Sequence, residues 1–300
     1  MVISYLQHHE IDYQKWDKCI KKSVNGSIYA YSWFLNIVCN EWDALIDEKY
    51  ETVMPLPFKK IFGFKILMQP VFASNLGVFS TKVLDEEVVD TFIKAIPQKF
   101  WLININLNKF NKITEHLFRI RHDCVYELDL IPSYKRISES FSPEIKESLK
   151  EASKNNISII AGMNSNDLVS MYLNDKTFVQ KILIRRHVDK IKKLVSNAIK
   201  FRVGQVYGAY TSENNLCAAT FFIWSHNRVF LLFYGFNNTG IKELAHITII
   251  DEFIKLHAEQ NLTLRFEFAS RNKYSGLFMG FGGRRYEFMR VRKKGFPLFF

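Results

Sequence analysis

Two spacings of apolar residues alternate along the chain, and the change from one to the other sets out its elements. Residues 12–22 carry apolar side chains at helical spacing and read as a short helix, broken by Asn25-Gly26-Ser27. Residues 31–39 read as a second helix, rich in aromatics. The period then falls to two. Residues 42–46 and 50–58 form a hairpin across Asp47-Glu48, and 64–68 reads as a third strand. A loop with Pro70, Asn75 and Gly77 leads into an amphipathic helix over 85–96, a strand over 101–107 and a half-buried strand over 124–130.

The stretch 133–156 breaks this rhythm. It is charged and helical, with Pro143 where a helix begins after Ser142, and it reads as a connector. Beyond it the first order of elements returns: helices over 165–174 and 185–199, a hairpin of 201–211 with 216–224 around Ser212-Glu213-Asn214, and a third strand over 229–233. An Asn/Gly loop, a helix over 243–259 and strands over 262–268 and 285–291 complete the chain. At an offset of 161 residues, Asp90-Thr91-Phe92-Ile93-Lys94 falls on Asp251-Glu252-Phe253-Ile254-Lys255. With the matching order of elements, this favours a duplicated domain. The expected boundaries are 1–136 and 137–300.

Composition narrows the class. With 48% hydrophobic and 24% charged residues over 300 positions, the chain is of ordinary globular type, long enough to split into two cores. Its uncharged stretches, such as 229–240, fall short of the ~18–20 apolar residues of a membrane helix. The opening MVISYLQHHEIDYQ lacks a basic start and an apolar core, so no secretory leader is expected. Cys19, Cys39, Cys124 and Cys217 are far apart, which argues against a zinc site or a disulfide framework and fits a reducing cytoplasm. No metal is expected.

Lys and Arg number 41 against 30 Asp and Glu, a net charge of +11. The excess is concentrated in two clusters, 181–202 and 284–300, the second ending in Gly-Phe-Pro-Leu-Phe-Phe. Each reads as a solvated face, or as a surface for phosphate-rich partners or an anionic membrane.

Candidate chemistry is sparse. There is no GxxxxGK loop, no HExxH and no GxSxG elbow. Gly280-Phe281-Gly282-Gly283 follows a helical turn rather than a strand, so it reads as a tight backbone turn. The loop Gly235-Phe236-Asn237-Asn238-Thr239-Gly240-Ile241-Lys242 leaves an apolar strand and enters a helix; it suits an anion such as a diphosphate, or is an ordinary capped loop. Glu267 sits between Phe266 and Phe268. If that face is buried, the carboxylate is either a general base or the ion-pair partner of Arg265 or Arg271.

Several segments resemble FemABX-type transferases. They are Gly26-Ser27 through Tyr31, Ser32 and Trp33 with Trp42 entering a hairpin; the charged helix SPEIKESLKEASKNNISI from Ser142; and FEFASRNKYSGLFMGFGGRRYEF from Phe266. The resemblance implies an α+β fold of two tandem GNAT-like (acyl-CoA N-acyltransferase) domains, each a mixed β-sheet flanked by helices. It implies transfer of an acyl or aminoacyl group, from acyl-CoA such as acetyl-CoA or from aminoacyl-tRNA, to an amine in a cell-wall or polysaccharide precursor. Two departures stand out: Phe278-Met279 where the family commonly has Phe-Lys, and no Q/R-x-x-G-x-G/A diphosphate signature.

On this reading Glu267 is the base, and Tyr234 or Tyr274 protonates the leaving group or holds the acceptor. Main-chain N–H groups from Asn237 and Asn238 to Gly240 polarise the carbonyl, and Lys242 and Arg271 contact phosphate. The protein is expected in the cytoplasm, with contact to the inner membrane face through its basic aromatic C-terminus. The rival from another class is a non-catalytic module of the same scaffold that binds RNA or an anionic membrane-associated partner.

Overall fold

The computed structural model describes residues 2–39, 41–114, 118–174, 178–267 and 275–293. The chain divides into two compact units, one formed by Met1–Cys124 with Tyr286–Phe300 and the other by Val125–Arg285.

In the first unit the elements run β1 (Ile3–Leu6), α1 (Tyr13–Lys22), α2 (Ser32–Val38), β2 (Glu41–Asp47), β3 (Thr52–Ile61), β4 (Phe64–Met68), β5 (Phe79–Ser80), α3 (Glu86–Lys94), β6 (Phe100–Asn106) and the start of β7 (Arg119–Asp129). Helices α1 and α3 begin where the sequence supplies capping acceptors for their free N–H groups. Asp12 Oδ1 accepts from Gln14 and Lys15, both at 3.1 Å, and Asp85 Oδ1 accepts from Val88 at 2.8 Å. Strand β3 carries Pro55 and Pro57, which lack N–H donors. They fall in the gap between its pairing with β5, which stops at Val53, and its pairing with β4, which starts at Phe58. Strands β1 to β4 pair antiparallel in sequence order, and β4 then lies parallel to β6 after the crossover through α3.

The second unit takes the end of β7 and continues with α4 (Tyr134–Glu139), α5 (Pro143–Ala152), β8 (Ser158–Ala161), α6 (Ser165–Asn174), α7 (Phe178–Arg185), α8 (Val188–Lys200), β9 (Gly204–Tyr210), β10 (Leu216–Ser225), β11 (Arg228–Phe236), α9 (Asn238–Lys242), α10 (Ala245–His257), β12 (Thr263–Phe266), α11 (Ser275–Gly280) and the start of β13 (Arg284–Lys293). Its pairing follows the same plan: β8 to β11 antiparallel in order, then β11 parallel to β12 through the α10 crossover. Within the connector, Ser142 Oγ accepts from Ile145 N–H at 3.4 Å with Pro143 in the first turn, as the sequence suggests. Strands β1 and β8 are four residues each, too short to leave a period in the sequence.

The unit boundaries differ from the expected 1–136 and 137–300. The strand that follows the parallel strand in each half is paired in the other unit. Tyr126 to Asp129 of β7 lie antiparallel to β12, while Arg290 to Lys293 of β13 lie antiparallel to β6. The free edge of each parallel strand needs hydrogen-bond partners, and each finds them in the other half of the sequence. Val291 is accordingly fully buried in the first unit's core, beside Ile103, Ile105 and Leu107.

The 161-residue correspondence holds physically. Asp90 in α3 and Asp251 in α10 are both buried, each on the crossover helix. Asp90 accepts from the Thr114 N–H at 3.0 Å and from the Thr114 hydroxyl. Asp251 accepts from the Tyr134 hydroxyl at 2.7 Å and pairs with Lys255 at 2.8 Å.

Candidate functional site

The C-terminal ends of β11 and β12, in the second unit, gather most of the sequence-predicted residues. The two strands keep parallel register over four positions, from Arg228 opposite Thr263 to Leu231 opposite Phe266. Strand β11 then runs on to Phe236 against β10 alone among the described residues. At the point of parting the β10–β11 register slips: Phe221 faces Phe233, but Phe222 faces Leu231, so Leu232 is an extra residue. A bulge of this kind re-aims every side chain after it.

The bulge decides which face each candidate occupies. Phe233 meets Tyr172 of α6 at 5.3 Å and stacks on Phe221. Gly235 shares that face, and a Cβ there would fall 2.4 Å from the Met171 carbonyl oxygen and from Tyr172 Cα. Tyr234 and Phe236 take the opposite face, with Phe236 4.9 Å from the His246 ring of α10. Tyr234 is buried, its hydroxyl donates to the His246 carbonyl, and its ring lies 6.2 Å from Phe278, which stacks on Phe266. Arg265 and Glu267 alternate with Phe266 and so point away from Tyr234. The structure therefore places Tyr234 and Glu267 on opposite faces of the sheet.

On its own face Glu267 belongs to a buried charged group. Its Oε1 lies 2.7 Å from Arg265 Nε, and Arg265 Nη1 lies 3.9 Å from Glu127 Oε1 on the neighbouring strand. The Arg265 guanidinium also sits 5.7 Å from the Phe230 ring centroid. Burial holds the Arg228 guanidinium below its ordinary value; Glu127 opposes this and Arg265 adds to it. Glu267 is 4% exposed, and among the described residues neither of its oxygens accepts an aligned hydrogen bond. Its compensation is the charge of Arg265, one of the two ion-pair partners named from the sequence. Glu127 and Arg228 have no signal in the sequence: Glu127 falls with Asp129 on the polar phase of the 124–130 alternation, which reads as a solvent face, yet it is buried.

The loop after β11 is occupied by its own contacts. Asn237 Oδ1 accepts from Gly240 N–H at 2.8 Å, and Asn237 Nδ2 donates to the Leu216 carbonyl at 3.3 Å. Gly240 packs so closely on β10 that a Cβ would lie 2.2 Å from the Cys217 carbonyl oxygen. The Gly240 N–H is thus a capping donor, as in the ordinary-loop reading, and the helix it opens is five residues long. Asn238 and Lys242 are exposed on that short helix. Tyr274 and Arg271 lie outside the described residues. A separate cleft of about 520 Å³, lined by Arg202, Gln205 and Trp224 among others, holds none of the predicted residues.

No family sequence model matches the chain, and no curated sequence does. Solved structures do. FemX superposes with a TM-score of 0.62 at 10% identity, over 96% of this chain and 97% of that one. A conserved protein of unknown function from Bacteroides thetaiotaomicron gives 0.58 at 9%, over 97% and 100%. L-PGS from Bacillus licheniformis gives 0.55 at 10%, over 96% and 93%. The chain has the α+β fold of FemX.

Within the FemX fold the segments that carried the resemblance find definite places. The charged stretch from Ser142 is α5, and the Gly280 to Gly283 run is a turn in which Gly282 has φ +80°. A side chain at Gly282 would strike Ser140, with a Cβ 2.3 Å from its Oγ. Phe278 is buried, whereas Met279, standing where the resemblance expects Lys, is 53% exposed. Of the basic cluster 181–202, Arg185, Arg186, Lys193, Lys200 and Arg202 are exposed. The second cluster is described only as far as Lys293 in β13. Among the described residues, no helix is long and apolar enough to cross a membrane.

Proposed function

We propose that this protein is an N-acyltransferase that moves an acyl or aminoacyl group from a thioester or an aminoacyl-tRNA ester to an amine. The observation that carries the reading is Glu267: a buried carboxylate at the end of the strand where β11 and β12 part, with hydrogen-bonding capacity left on both oxygens among the described residues. A buried carboxylate whose hydrogen-bonding capacity the described residues leave unfilled calls for a functional explanation. The FemX fold over nearly the whole chain supports the same class of reaction.

In this reading the amine nitrogen bonds to the donor carbonyl carbon, and the C–S or C–O bond to the leaving group breaks. The proton released from nitrogen passes to Glu267, whose orientation Arg265 fixes at 2.7 Å, and from there to the departing thiolate or alkoxide. Tyr234, committed to the His246 carbonyl on the other face, takes no part. Because Asn237 already fills the Gly240 N–H, the loop favours an aminoacyl ester over the diphosphate of acyl-CoA as donor.

The test is a thermal-shift titration with acetyl-CoA and with aminoacyl-tRNA, followed by radiolabel transfer to an amine pool. A saturating rise in midpoint with one donor is expected, with Glu267→Gln keeping the shift and losing about 100-fold or more in transfer. No shift and no transfer with either donor would overturn the reading.

The occupied Gly240 N–H and the exposed Met279 also favour a second reading, a binding module on the same scaffold. Steeply salt-dependent binding of RNA or anionic vesicles, without response to either donor, would select it.

A further inference from the structure

The turn between β3 and β4 in the first unit is built from residues that a free-standing hairpin would avoid. Phe62 and Gly63 have φ +48° and +83°, a two-residue turn with both central residues left-handed. Asn, Asp or Gly normally fills the first of these positions, and a phenylalanine there is strained. Phe62 receives nothing from its own fold in return, since it is 97% exposed. Ile61 and Phe64, paired on either side of the turn, are exposed as well, and Phe64 rests 5.2 Å from Trp101 at the start of β6.

Ammonium groups surround this apolar tip. Lys60 and Lys65 stand opposite each other, a repulsive arrangement relieved by Glu41 at 2.8 Å from Lys60 and Asp43 at 2.8 Å from Lys65. Lys59 is exposed, and the Lys99 ammonium lies 3.9 Å over the Tyr5 ring. The four cations outweigh the two carboxylates.

We propose that the Phe62 hairpin tip inserts into the headgroup region of an anionic bilayer, with Phe64 and Trp101 at the interface and Lys59 and Lys99 against lipid phosphates. An apolar wedge, an interfacial tryptophan and flanking lysines are the combination that such a surface takes up. A stacking site for nucleic-acid bases fits less well, because Phe64 and Trp101 pack on each other and Ile61 has no π face. This surface lies in the first unit and does not depend on the proposed reaction.

Phe62→Asn tests it cleanly, since Asn suits the turn better. The full-length variant should melt at the same or a higher temperature than the parent and lose about tenfold or more in partitioning to phosphatidylglycerol–phosphatidylcholine vesicles at ~0.15 M salt. Lys59→Gln with Lys99→Gln should weaken binding to those vesicles and leave the weak binding to pure phosphatidylcholine unchanged. Vesicle binding that is absent in the parent, or unaltered by Phe62→Asn, would overturn the proposal. So would a concentration-dependent dimer, or RNA binding, that Phe62→Asn abolishes while vesicle binding stays the same.

Discussion

Arg265 and Glu267 face each other across a single residue, Nε to Oε1 at 2.7 Å, with both side chains buried. Strand alternation brings them to one side of β12, and Phe266 between them closes the other side against Phe278. Removing one partner of a buried pair strands the other charge. Arg265→Met is expected to destabilise the protein by roughly 3–5 kcal/mol in urea denaturation, and Arg265→Met with Glu267→Leu to recover most of that loss. An unchanged midpoint in the single variant would show that the pair carries no structural role.

Gly235 marks where α6 presses on β11. A methyl group there would sit 2.4 Å from helix backbone, which cannot rotate aside as a flexible side chain can. Gly235→Ala should therefore cost about 1–3 kcal/mol or more, read from the shift in denaturation midpoint. Gly276→Ala is the control, because a Cβ at Gly276 meets nothing within 4 Å among the described residues.

Tyr134 donates its hydroxyl to the buried Asp251. Burial, and then this hydrogen bond, raise the Tyr134 pKa well above the ordinary tyrosine value of 10.0. The folded state thus holds the proton more tightly than the unfolded chain does. The resulting stability is complete below about pH 10 and is lost as the pH rises above it. Tyr134→Phe should lose about 1.5–3 kcal/mol at neutral pH and show a shallower alkaline fall in Tm than the parent.

Burial likewise pushes the thiols of Cys19 and Cys217 up to about 11, from an ordinary 9.0. By the same sign their contribution is complete below pH 9 and lost through pH 11. In the folded protein both should resist a thiol-specific reagent at mildly alkaline pH, while the half-buried Cys124 reacts first. Mass spectrometry of the labelled peptides reads the order directly.

The exchanged strands predict how the chain tolerates cutting. The sequence halves 1–136 and 137–300 each lack a strand that their parallel edge requires, β13 for β6 and β7 for β12. Expressed alone, each half should be insoluble or poorly folded; expressed together, they should co-purify as one species on size exclusion. Two independently soluble halves would contradict the pairing.

Most of the elements are legible along the chain, because helices and strands answer to local rules. Asp12, Asp85 and Ser142-Pro143 announce helix starts through hydrogen bonds made within four residues, and β4 falls on the largely apolar run 64–68 that reads as a strand. The Asp90–Asp251 repeat was legible for the same reason: a buried carboxylate on a crossover helix leaves a mark in a short window. Which strands complete which unit was not legible, since edge pairing joins residues more than 100 positions apart and leaves no period in the chain. Nor was the separation of Tyr234 from Glu267. That follows from one extra residue, Leu232, whose bulge depends on β10 and reverses the faces of everything after it. The candidate residues could be picked from the sequence one by one, but which of them share a face is a property of the folded sheet.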